Sequence, residues 1–547
     1  SMNKIHEMKI NFSILIIVLT LLIGLTKTSN AQVWSKSFSA GNVDLNGKLL
    51  GGSEVLQLIG HKNKLFASIG YWQDENNIWY GGNDSSVGWG QIIRLDKSNG
   101  QWQEDFTLGN NFLRPEILKQ VIFTKDASGN PLPAPDTLLL AAAYSPNYIT
   151  GTVSASSFTR NDANGTWDEN KIYQGSLPAG ENYSIRDIQI YSDQITGIER
   201  IYISVGTKGI FIGKYNAATP GKISWVPTPE IGPLSIRPLG ITNANNTLYF
   251  SSGYELYRRI DGVSSSFTIA HDFSDLNTNI NSAVGGIRGL TSITNPNDNN
   301  EALLLMWCPN GQSQGLIYRL EPDGNGGFNR FFESKISLLV EDYLPGSNVS
   351  YLLGAYNEFY EYTDPISSET SHLIGFEANI NGGGYPTWNG YYKGAIYARR
   401  HANMEYSLEE INGVIGINDM PLVANRCYVK SPFENENAIY FGGFDPNSNT
   451  ATNMAWIFKK DFQTNTTNEQ IQEEPKLLIY PNPAINQLTL EVKTEEVLEY
   501  EVISILGKTL LSGFVSSDKQ IIDISELASN IYFIKIENQL IKFLKIK

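Results

Sequence analysis

The stretch Leu248-Tyr249-Phe250-Ser251-Ser252-Gly253, followed by Glu255-Leu256-Tyr257-Arg258-Arg259, is one copy of a pattern that recurs along the chain. The first run is apolar and ends in small residues, and the second run mixes apolar with polar side chains. Both have the length and the β-branched or aromatic content of strands. The first run recurs at residues 65–70, 138–143, 201–206, 248–253, 303–308, 351–356 and 439–444.

The second run follows the first in most copies, at residues 91–95, 209–213, 255–259, 316–320, 358–362 and 455–459. Several copies then turn through Asp, Asn and Gly, as at residues 96–100 and 323–327, into a polar outer strand. Short strands with turns between them, and no amphipathic helix, predict an all-β chain that forms a β-propeller over residues 32–465. Seven copies of the first run predict seven blades.

Two segments bear on how the predicted ring is completed. Residues 391–398 and 404–408 are strand-like without a leading partner, so residues 377–418 are either an elaborated blade or an eighth one. Residues 33–38 are expected to join the last blade and close the ring, because an open ring leaves sheet edges exposed.

An arginine precedes the apolar run in five copies. These residues are Arg114, Arg186, Arg237, Arg288 and Arg426. The first strand of each propeller blade lines the central channel, so the five arginines are expected to converge on one mouth of that channel.

Two interpretations of this arginine ring stay open. Guanidinium groups suit carboxylates and other anions, so the ring can form a pocket for an anionic ligand such as an acidic sugar. Alternatively, the arginines bond neighbouring carbonyls or pair with acidic residues and so lock adjacent blades together. The candidate acidic partners are Glu54, Glu116, Asp187, Glu341 and Asp342.

Aromatic residues in Gly- and Asn-rich segments are a second set of candidate ligand contacts. Trp72, Trp79 and Trp388 are the most prominent of them. An exposed aromatic face can stack on a sugar ring, although such loops also pack on themselves.

Catalytic motifs are sparse. His401 or Tyr397 can serve as the base of a β-elimination on a uronate, with arginines neutralising the substrate carboxylate. The alternative for His401 is a solvent-exposed turn residue. No metal-ligand spacing and no phosphate-binding loop is found, so neither a metal nor a cofactor is predicted.

The charge balance restricts the partners. The chain has 41 Lys and Arg against 56 Asp and Glu, a net charge of −15, which argues against a nucleic-acid partner. Cys308 and Cys427 are the two cysteines, and both a disulfide and two buried free thiols are compatible with their apolar surroundings.

The N-terminal end has the pattern of a secretory signal peptide. An apolar core at residues 14–25 follows positive charge and precedes the small-residue site Ser29-Asn30-Ala31. Twelve apolar residues are fewer than the about 20 that span a bilayer. Residues 1–31 are therefore expected to be removed, and no later segment is apolar enough to span.

The C-terminal end combines several short motifs in a fixed order. Tyr480-Pro481-Asn482-Pro483 is followed by alternating strands, a turn at Gly507, and a strand containing Tyr532 and Lys535. This order resembles the type A sorting domain of the type IX secretion system of Bacteroidota, over residues of about 475–547. Asn530 stands where that family usually has Gly. We expect a linker at residues 466–475 and a small β-sandwich at residues 476–547.

The resemblance implies export by the type IX machinery and its sortase, followed by release or by lipopolysaccharide anchoring at the outer surface. The middle region is similar to secreted Kelch-like and WD40-like propellers of unassigned function, and no motif there transfers catalytic residues. The favoured function is a non-enzymatic, secreted or cell-surface protein that binds glycans or anionic ligands. The alternative is a polysaccharide lyase or glycoside hydrolase that uses the channel mouth.

Overall fold

The computed structural model describes most of the chain. The described residues are 33–71, 88–109, 112–147, 150–176, 184–282, 284–295, 297–298, 300–310, 313–380, 396–411, 424–444, 453–462, 478–491, 497–504, 508–515, 519–536 and 539–547. The predicted signal peptide lies outside them. The chain divides into two compact units, Ser1–Thr464 and Asn465–Lys547.

The first unit begins with short β elements and then a series of four-stranded antiparallel sheets. Strand β1 (Val33–Ser39) and a hairpin of β2 (Asn42–Val43) and β3 (Leu49–Leu50) come first. The first sheet contains β4 (Glu54–His61), β5 (Lys64–Gly70), β6 (Gln91–Leu95) and β7 (Gln103–Thr107). The second contains β8 (Ile117–Lys125), β9 (Pro131–Asn147), β10 (Thr152–Asn161) and β11 (Thr166–Ser176). Neighbours in sequence are neighbours in each sheet.

Three further sheets repeat this arrangement. The third contains β12 (Ile188–Ser192), β13 (Glu199–Ser204), β14 (Ile210–Tyr215) and β15 (Ile223–Trp225). The fourth contains β16 (Pro238–Ala244), β17 (Thr247–Ser252), β18 (Glu255–Ile260) and β19 (Ser266–Asp272). The fifth contains β20 (Gly286–Thr294), β21 (Glu301–Cys308), β22 (Leu316–Pro322) and β23 (Phe328–Lys335). This repetition of antiparallel four-stranded sheets is that of a β-propeller.

The sixth sheet differs from the sequence-based prediction. After helix α1 (Ile336–Tyr343), β24 (Val349–Gly354) and β25 (Tyr360–Thr363) pair one after the other with the long strand β26 (Thr370–Ile380). Strands β27 (Ile396–Arg400) and β28 (Tyr406–Glu410) complete it. Residues 351–356 were predicted to be equivalent to the apolar runs of the other six copies, and this equivalence is wrong, since those runs are second strands of their sheets and β24 is an inner strand. The missing leading partner of β27 is β26.

The error has a physical origin. Residues 351–354 are buried on both faces, as second strands of propeller sheets are, so composition alone could not distinguish the two positions. Ala355 has a φ of 49°, which ends β24 there. Helix α1 also contradicts the expectation that the chain lacks an amphipathic helix.

The last sheet is closed by the N-terminal strand. It contains β29 (Ala424–Lys430), β30 (Ala438–Phe444) and β31 (Trp456–Asp461), and β1 pairs with β31 from Val33 opposite Asp461 to Ser39 opposite Trp456. The expected closure of the ring by residues 33–38 is confirmed. One further residue pair, Phe444 with Glu54, connects this sheet to the first sheet.

The core lies between successive sheets. Phe66 of β5 and Ile92 of β6, for example, share a buried cluster with Leu139 of β9 and Phe158 of β10. Each such side chain contributes about 1.5–3 kcal/mol on burial. In six copies the predicted apolar run is the second strand of its sheet, where both faces are covered by neighbouring sheets.

The second unit is a small β-sandwich. Its strands are β32 (Leu478–Tyr480), β33 (Gln487–Glu491), β34 (Leu498–Ser504), β35 (Thr509–Val515), β36 (Lys519–Asp523), β37 (Asn530–Ile536) and β38 (Gln539–Lys545). One sheet has the order β32-β33-β36 and the other β35-β34-β37-β38. Leu488, Leu490, Val502, Ile534 and Phe543 belong to their common buried core. In the described parts of the chain, no helix is long and apolar enough to cross a membrane.

Candidate functional site

The inner strands of the first unit surround one cavity of about 630 Å³. Residues from every sheet of the first unit line it, so the cavity is the central channel of the propeller. Representative lining residues are Gln57 of β4, Leu118 of β8, Asp187 beside β12, Leu239 of β16, Leu290 of β20, Phe359 beside β25 and Tyr428 of β29.

A buried layer of arginines and glutamates lies where the inner strands begin. Glu54 is its best-connected member, with Oε2 2.8 Å from Nη1 of Arg426 and Oε1 2.9 Å from Nε of Arg114. Arg114 Nη1 is 3.1 Å from Glu116 Oε1, and Arg186 Nη1 is 3.7 Å from the same oxygen. These contacts connect the last, first, second and third sheets in that order around the axis.

Arg288 completes the layer on the fifth sheet by a different set of contacts. Its Nε donates to the carbonyl of Gly354 at 2.6 Å, and its Nη1 donates to the carbonyl of Val284. Its guanidinium lies 4.8 Å from the ring centroid of Tyr356, and that of Arg426 lies 5.0 Å from the same ring. Tyr356 therefore stands between two cations, an arrangement favoured by the negative face of its ring.

The layer is short of negative charge. Burial, together with the nearby Arg426, Arg237 and Arg288, holds the pKa of Arg186 well below its ordinary value. Burial lowers the pKa of Arg237 to about 10, and this residue donates to the hydroxyl of Ser184. In both cases burial is the largest cause of the shift, and the charges of neighbouring arginines add to it while Glu116 opposes it.

Glu377 of β26 is the third carboxylate of the layer, beside Glu54 and Glu116. Burial raises the pKa of Glu377 to about 7, although a hydrogen bond from Tyr356 and the charges of Arg288 and Arg426 oppose that shift. Among the described residues, five arginines thus face three carboxylates, one of which titrates near neutral pH.

Several buried polar atoms of the layer make no hydrogen bond with any described residue. They include Nη2 of Arg288, Nε of Arg426 and Oε2 of Glu377. A buried donor left in this condition costs about 1–3 kcal/mol, more when it is charged. An added acceptor, such as the oxygens of an anion, would remove that cost for the two arginines.

The lining of the cavity also contains a second group of charged side chains. There Lys119 Nζ lies 2.6 Å from Asp187 Oδ1 and 2.9 Å from Glu358 Oε1. The amides of Gln57 and Asn357 bond each other at 3.2 Å. Burial opposes protonation of Lys119, but Asp187 and Glu358 outweigh it and raise the pKa of the ammonium.

The catalytic candidates lie elsewhere in the sheets. Tyr397 belongs to β27, the third strand of its sheet, where burial and Glu409, the acceptor of its hydroxyl, raise its pKa well above the ordinary value. His401 follows β27, with Nδ1 3.0 Å from Glu369 and Nε2 2.8 Å from the hydroxyl of Ser407. Neither residue lines the central cavity, and a catalytic role for them stays a prediction.

The structure describes some of the remaining predicted residues and not others. Trp72, Trp79 and Trp388, the candidate stacking residues, and Gly507 of the sorting motif lie outside the described residues. Cys308 and Cys427 are free, buried thiols rather than a disulfide. In the ranges that the structure describes, no cluster of three or more metal-ligating side chains is found.

The interpretation in which the arginines lock adjacent blades together predicted a set of acidic partners, and only some of these pair with arginines in the structure. Glu54 and Glu116 do pair with arginines of the layer, whereas Asp187 pairs with Lys119. Glu341, in helix α1, accepts a hydrogen bond from the backbone of Val349 at 2.9 Å.

The residues of the sorting motif are held by local contacts. The hydroxyl of Tyr480 donates to Glu491 at 2.9 Å, and Lys535 lies 3.8 Å from Glu501. Asn482 donates to the carbonyl of Lys542 and accepts from the backbone of Leu544, which fixes the segment carrying Pro481 and Pro483 beside β38. The hydroxyl of Tyr532 donates to the carbonyl of Ala528 at 2.8 Å.

This second unit has a recognisable relationship. Residues 478–546 match the secretion system C-terminal sorting domain. The predicted type IX sorting domain is confirmed, and with it the dependence on the secretion machinery and the location of the protein, secreted or at the outer surface. The domain implies an origin in Bacteroidota.

The other comparisons concern the architecture. No curated protein matches the chain. Similar solved structures include the α-L-arabinofuranosidase Arb93A of Fusarium graminearum with an iminosugar inhibitor, at 10% identity over 70% of this chain and 100% of that chain, TM-score 0.34. The α-L-arabinanase of Penicillium chrysogenum with arabinobiose is 11% identical over 70% of this chain and 100% of that chain, with a TM-score of 0.35. Likeness at this level carries no inference about activity.

Sequence reasoning found the five arginines but missed Glu377, Tyr356 and the ion pairs of Lys119 with Asp187 and Glu358. An ionisable residue inside the otherwise apolar run of residues 373–378 was the available signal for Glu377. Tyr356 had no such signal, because its place depends on the break between β24 and β25.

Proposed function

We propose that this exported protein binds an anionic extracellular ligand, of the acidic-glycan class, at the axial arginine layer of its propeller. The observation that carries the proposal is the charge of that layer, in which five arginines face three carboxylates. An uncompensated buried guanidinium is costly, and an anion that reaches it relieves that cost.

The proposal assigns different roles to different arginines. Arg114, held between Glu54 and Glu116, locks neighbouring sheets together. Arg186 and Arg426 line the cavity, and Arg426 and Arg288 have guanidinium nitrogens with no acceptor in the described residues. The two interpretations of the arginine ring therefore apply to separate members of it.

The ring that we propose has seven blades and extends over residues 32–465. Its support is the succession of sheets around one cavity, with β24 to β28 forming a single elaborated blade. The linker and the sorting domain follow at residues 466–475 and 476–547.

The binding proposal is tested by applying the full-length protein to an array of acidic glycans and titrating the positive ones calorimetrically. Arg288→Gln should weaken binding by about tenfold to a hundredfold, the value of one charge-assisted hydrogen bond. The matched control is Arg330→Gln. Arg330 lies on the outer strand β23 and pairs with Asp275. Thermal unfolding verifies that both variants are folded. Absence of wild-type binding, or equal losses in the two variants, contradicts the proposal.

A second candidate function is cleavage of an acidic polysaccharide at the same layer. A carboxyl group with a pKa of about 7, such as that of Glu377, has the protonation equilibrium expected of a general acid. Incubation with uronate polymers should then produce new reducing ends or ultraviolet absorbance of an unsaturated product. The hypothesis fails if wild type and Glu377→Gln give the same trace as buffer.

A further inference from the structure

One short segment of the sixth sheet lies in the central channel. Strand β24 ends at Gly354 and β25 begins at Tyr360, and between them Tyr356–Glu358 belong to no strand. We call Tyr356–Glu358 the axial segment, and all three of its residues line the cavity. Its contacts reach the second and third sheets, which are not neighbours of the sixth sheet. The axial segment therefore extends across the channel.

Three cationic side chains line the cavity among the described residues, and the axial segment contacts each of them. The ammonium of Lys119 lies 2.9 Å from the carboxylate of Glu358. Arg186 Nη2 donates to the carbonyl of Tyr356 at 3.3 Å, and the guanidinium of Arg426 lies 5.0 Å from the centroid of the same tyrosine ring. A carboxylate, a carbonyl oxygen and an aromatic face are all groups of negative potential. The segment thus offers the lining cations what an acidic ligand would offer them.

Each of these cations has a second partner that does not belong to the axial segment. The carboxylates of Asp187, Glu116 and Glu54 lie 2.6 Å from Lys119, 3.7 Å from Arg186 and 2.8 Å from Arg426, respectively. Withdrawal of the segment would therefore leave no lining cation without a counter-charge. Because of this, an acid can take the place of the segment without the cost of leaving a buried charge unpaired.

Asn357 holds the axial segment against the wall of the channel. Its Nδ2 donates to the carbonyl of Leu56 at 2.9 Å and to the carbonyl of Arg426 at 3.1 Å. Its Oδ1 accepts from the amide of Gln57 at 3.2 Å. These bonds join the segment to the first and last sheets through an uncharged side chain. The attachment of the segment can therefore be weakened without any change in charge.

We propose that the axial segment is an internal competitor of the acidic ligand, and that an acid binds by displacing Asn357 and Glu358 from the cavity lining. The inference rests on the proposed function, because it takes the lining cations as the anion site, and Arg186 and Arg426 belong to the arginine layer. An acid that engages Lys119 takes the place of the Glu358 carboxylate. The segment thereby regulates binding, since the apparent affinity is the intrinsic affinity reduced by the fraction of molecules in which the segment has withdrawn.

Glucuronate, a sugar ring with one carboxylate, is the probe, and glucose is its uncharged counterpart. Each is titrated calorimetrically at neutral pH into the full-length protein and its variants. The matched control for Glu358→Gln is Glu361→Gln, because the carboxylate of Glu361 also lines the cavity but pairs with His372 at 3.8 Å rather than with a lining cation. Glu358→Gln should tighten glucuronate binding about tenfold, whereas Glu361→Gln removes a charge without releasing a cation and should tighten it about twofold. Glucose binding should follow neither change.

The variant Asn357→Ala separates displacement from charge. It removes hydrogen bonds that hold the axial segment and leaves the net charge unchanged, so it should also tighten glucuronate binding, by about tenfold. Hydrogen exchange followed by mass spectrometry detects the displacement itself. The backbone N–H groups of Ala355 and Phe359, which donate at 2.8 Å to the Gly375 carbonyl and the Thr291 hydroxyl, flank the segment. The wild-type peptide that contains them should exchange faster with glucuronate bound than without it.

Thermal unfolding verifies that the variants are folded, and the two glutamate variants decide the question if Asn357→Ala does not fold. The inference is wrong if Glu358→Gln tightens binding no more than Glu361→Gln does. It is also wrong if glucuronate slows exchange of the axial segment, since the segment would then be part of the binding surface. In both cases anion binding by wild type stands. If glucuronate binds neither wild type nor any variant, the inference fails, and the glycan array decides the proposed function separately.

Discussion

Replacing Glu54 by Gln tests whether the arginine layer holds the propeller ring together. Glu54 is completely buried and contacts Arg426 at 2.8 Å and Arg114 at 2.9 Å. The substitution preserves its shape but leaves both guanidinium groups without their shared counter-charge. Removal of one partner from a buried ion pair costs about 3–5 kcal/mol.

The expected shift in melting temperature follows from the size of the unit. An unfolding entropy of about 2.1 cal/mol/K per residue, over roughly 430 residues, converts each kcal/mol into about 1 °C. Glu54→Gln should therefore lower the melting temperature by about 3–5 °C. Asp275→Asn, which removes the exposed partner of Arg330, should change it by less than about 1 °C, since exposed pairs contribute little.

Thermal unfolding followed by circular dichroism measures both variants against wild type. Glu54→Gln combined with Arg426→Gln should recover part of the loss, because the double substitution removes an uncompensated charge. The reasoning is refuted if Glu54→Gln melts with wild type or with the Asp275 control. That result would mean that the two arginines are stabilised by solvent rather than by Glu54.

Four further predictions concern two ionisable groups, the thiols and ring closure. The pKa of Glu377 is higher in the folded than in the unfolded protein, so the free energy of unfolding of wild type should fall by about 3 kcal/mol as pH rises from about 4.5 to about 7. Denaturant unfolding across this pH range measures that loss, which Glu377→Gln should not show. Burial lowers the pKa of His372 to about 4, so its contribution has the opposite sign and is lost as pH falls below about 6.5; His372→Asn should remove it. Cys308 and Cys427 should resist a thiol reagent in the native protein and react after denaturation, whereas a disulfide would leave them unreactive in both states. Deletion of Val33–Ser39 should uncover the edge of β31 and cause aggregation, measured by light scattering; a monodisperse monomer would contradict this.

The repeat could be predicted from sequence because the second strand of each sheet is buried on both faces. Such strands appear as continuous apolar runs, and six of the predicted runs occupy that position. The sixth sheet was misassigned, since its inner strand is as apolar as a second strand and is interrupted at Ala355. The local sequence pattern does not show which strand a segment pairs with, and only that pairing distinguishes an inner strand from a second strand.

The arginine ring was predictable for a similar reason. Arg186, Arg237 and Arg288 recur at a constant spacing, so equivalent positions in successive sheets converge on the axis. Their partners could not be assigned in the same way. Glu377 approaches the layer from β26, a second strand, and Glu54 is shared between sheets at opposite ends of the chain. Both contacts depend on the closed ring.

The pairing of β1 with β31 also imposes an order on folding. Its two strands are more than 400 residues apart in sequence, so the contact belongs to the most non-local and slowest-forming class. Sheets made from consecutive strands can form as the chain is synthesised, whereas β1 cannot pair until β31 is available. Until residues 456–461 are available, the nascent protein is an open arc with an uncapped edge at each end.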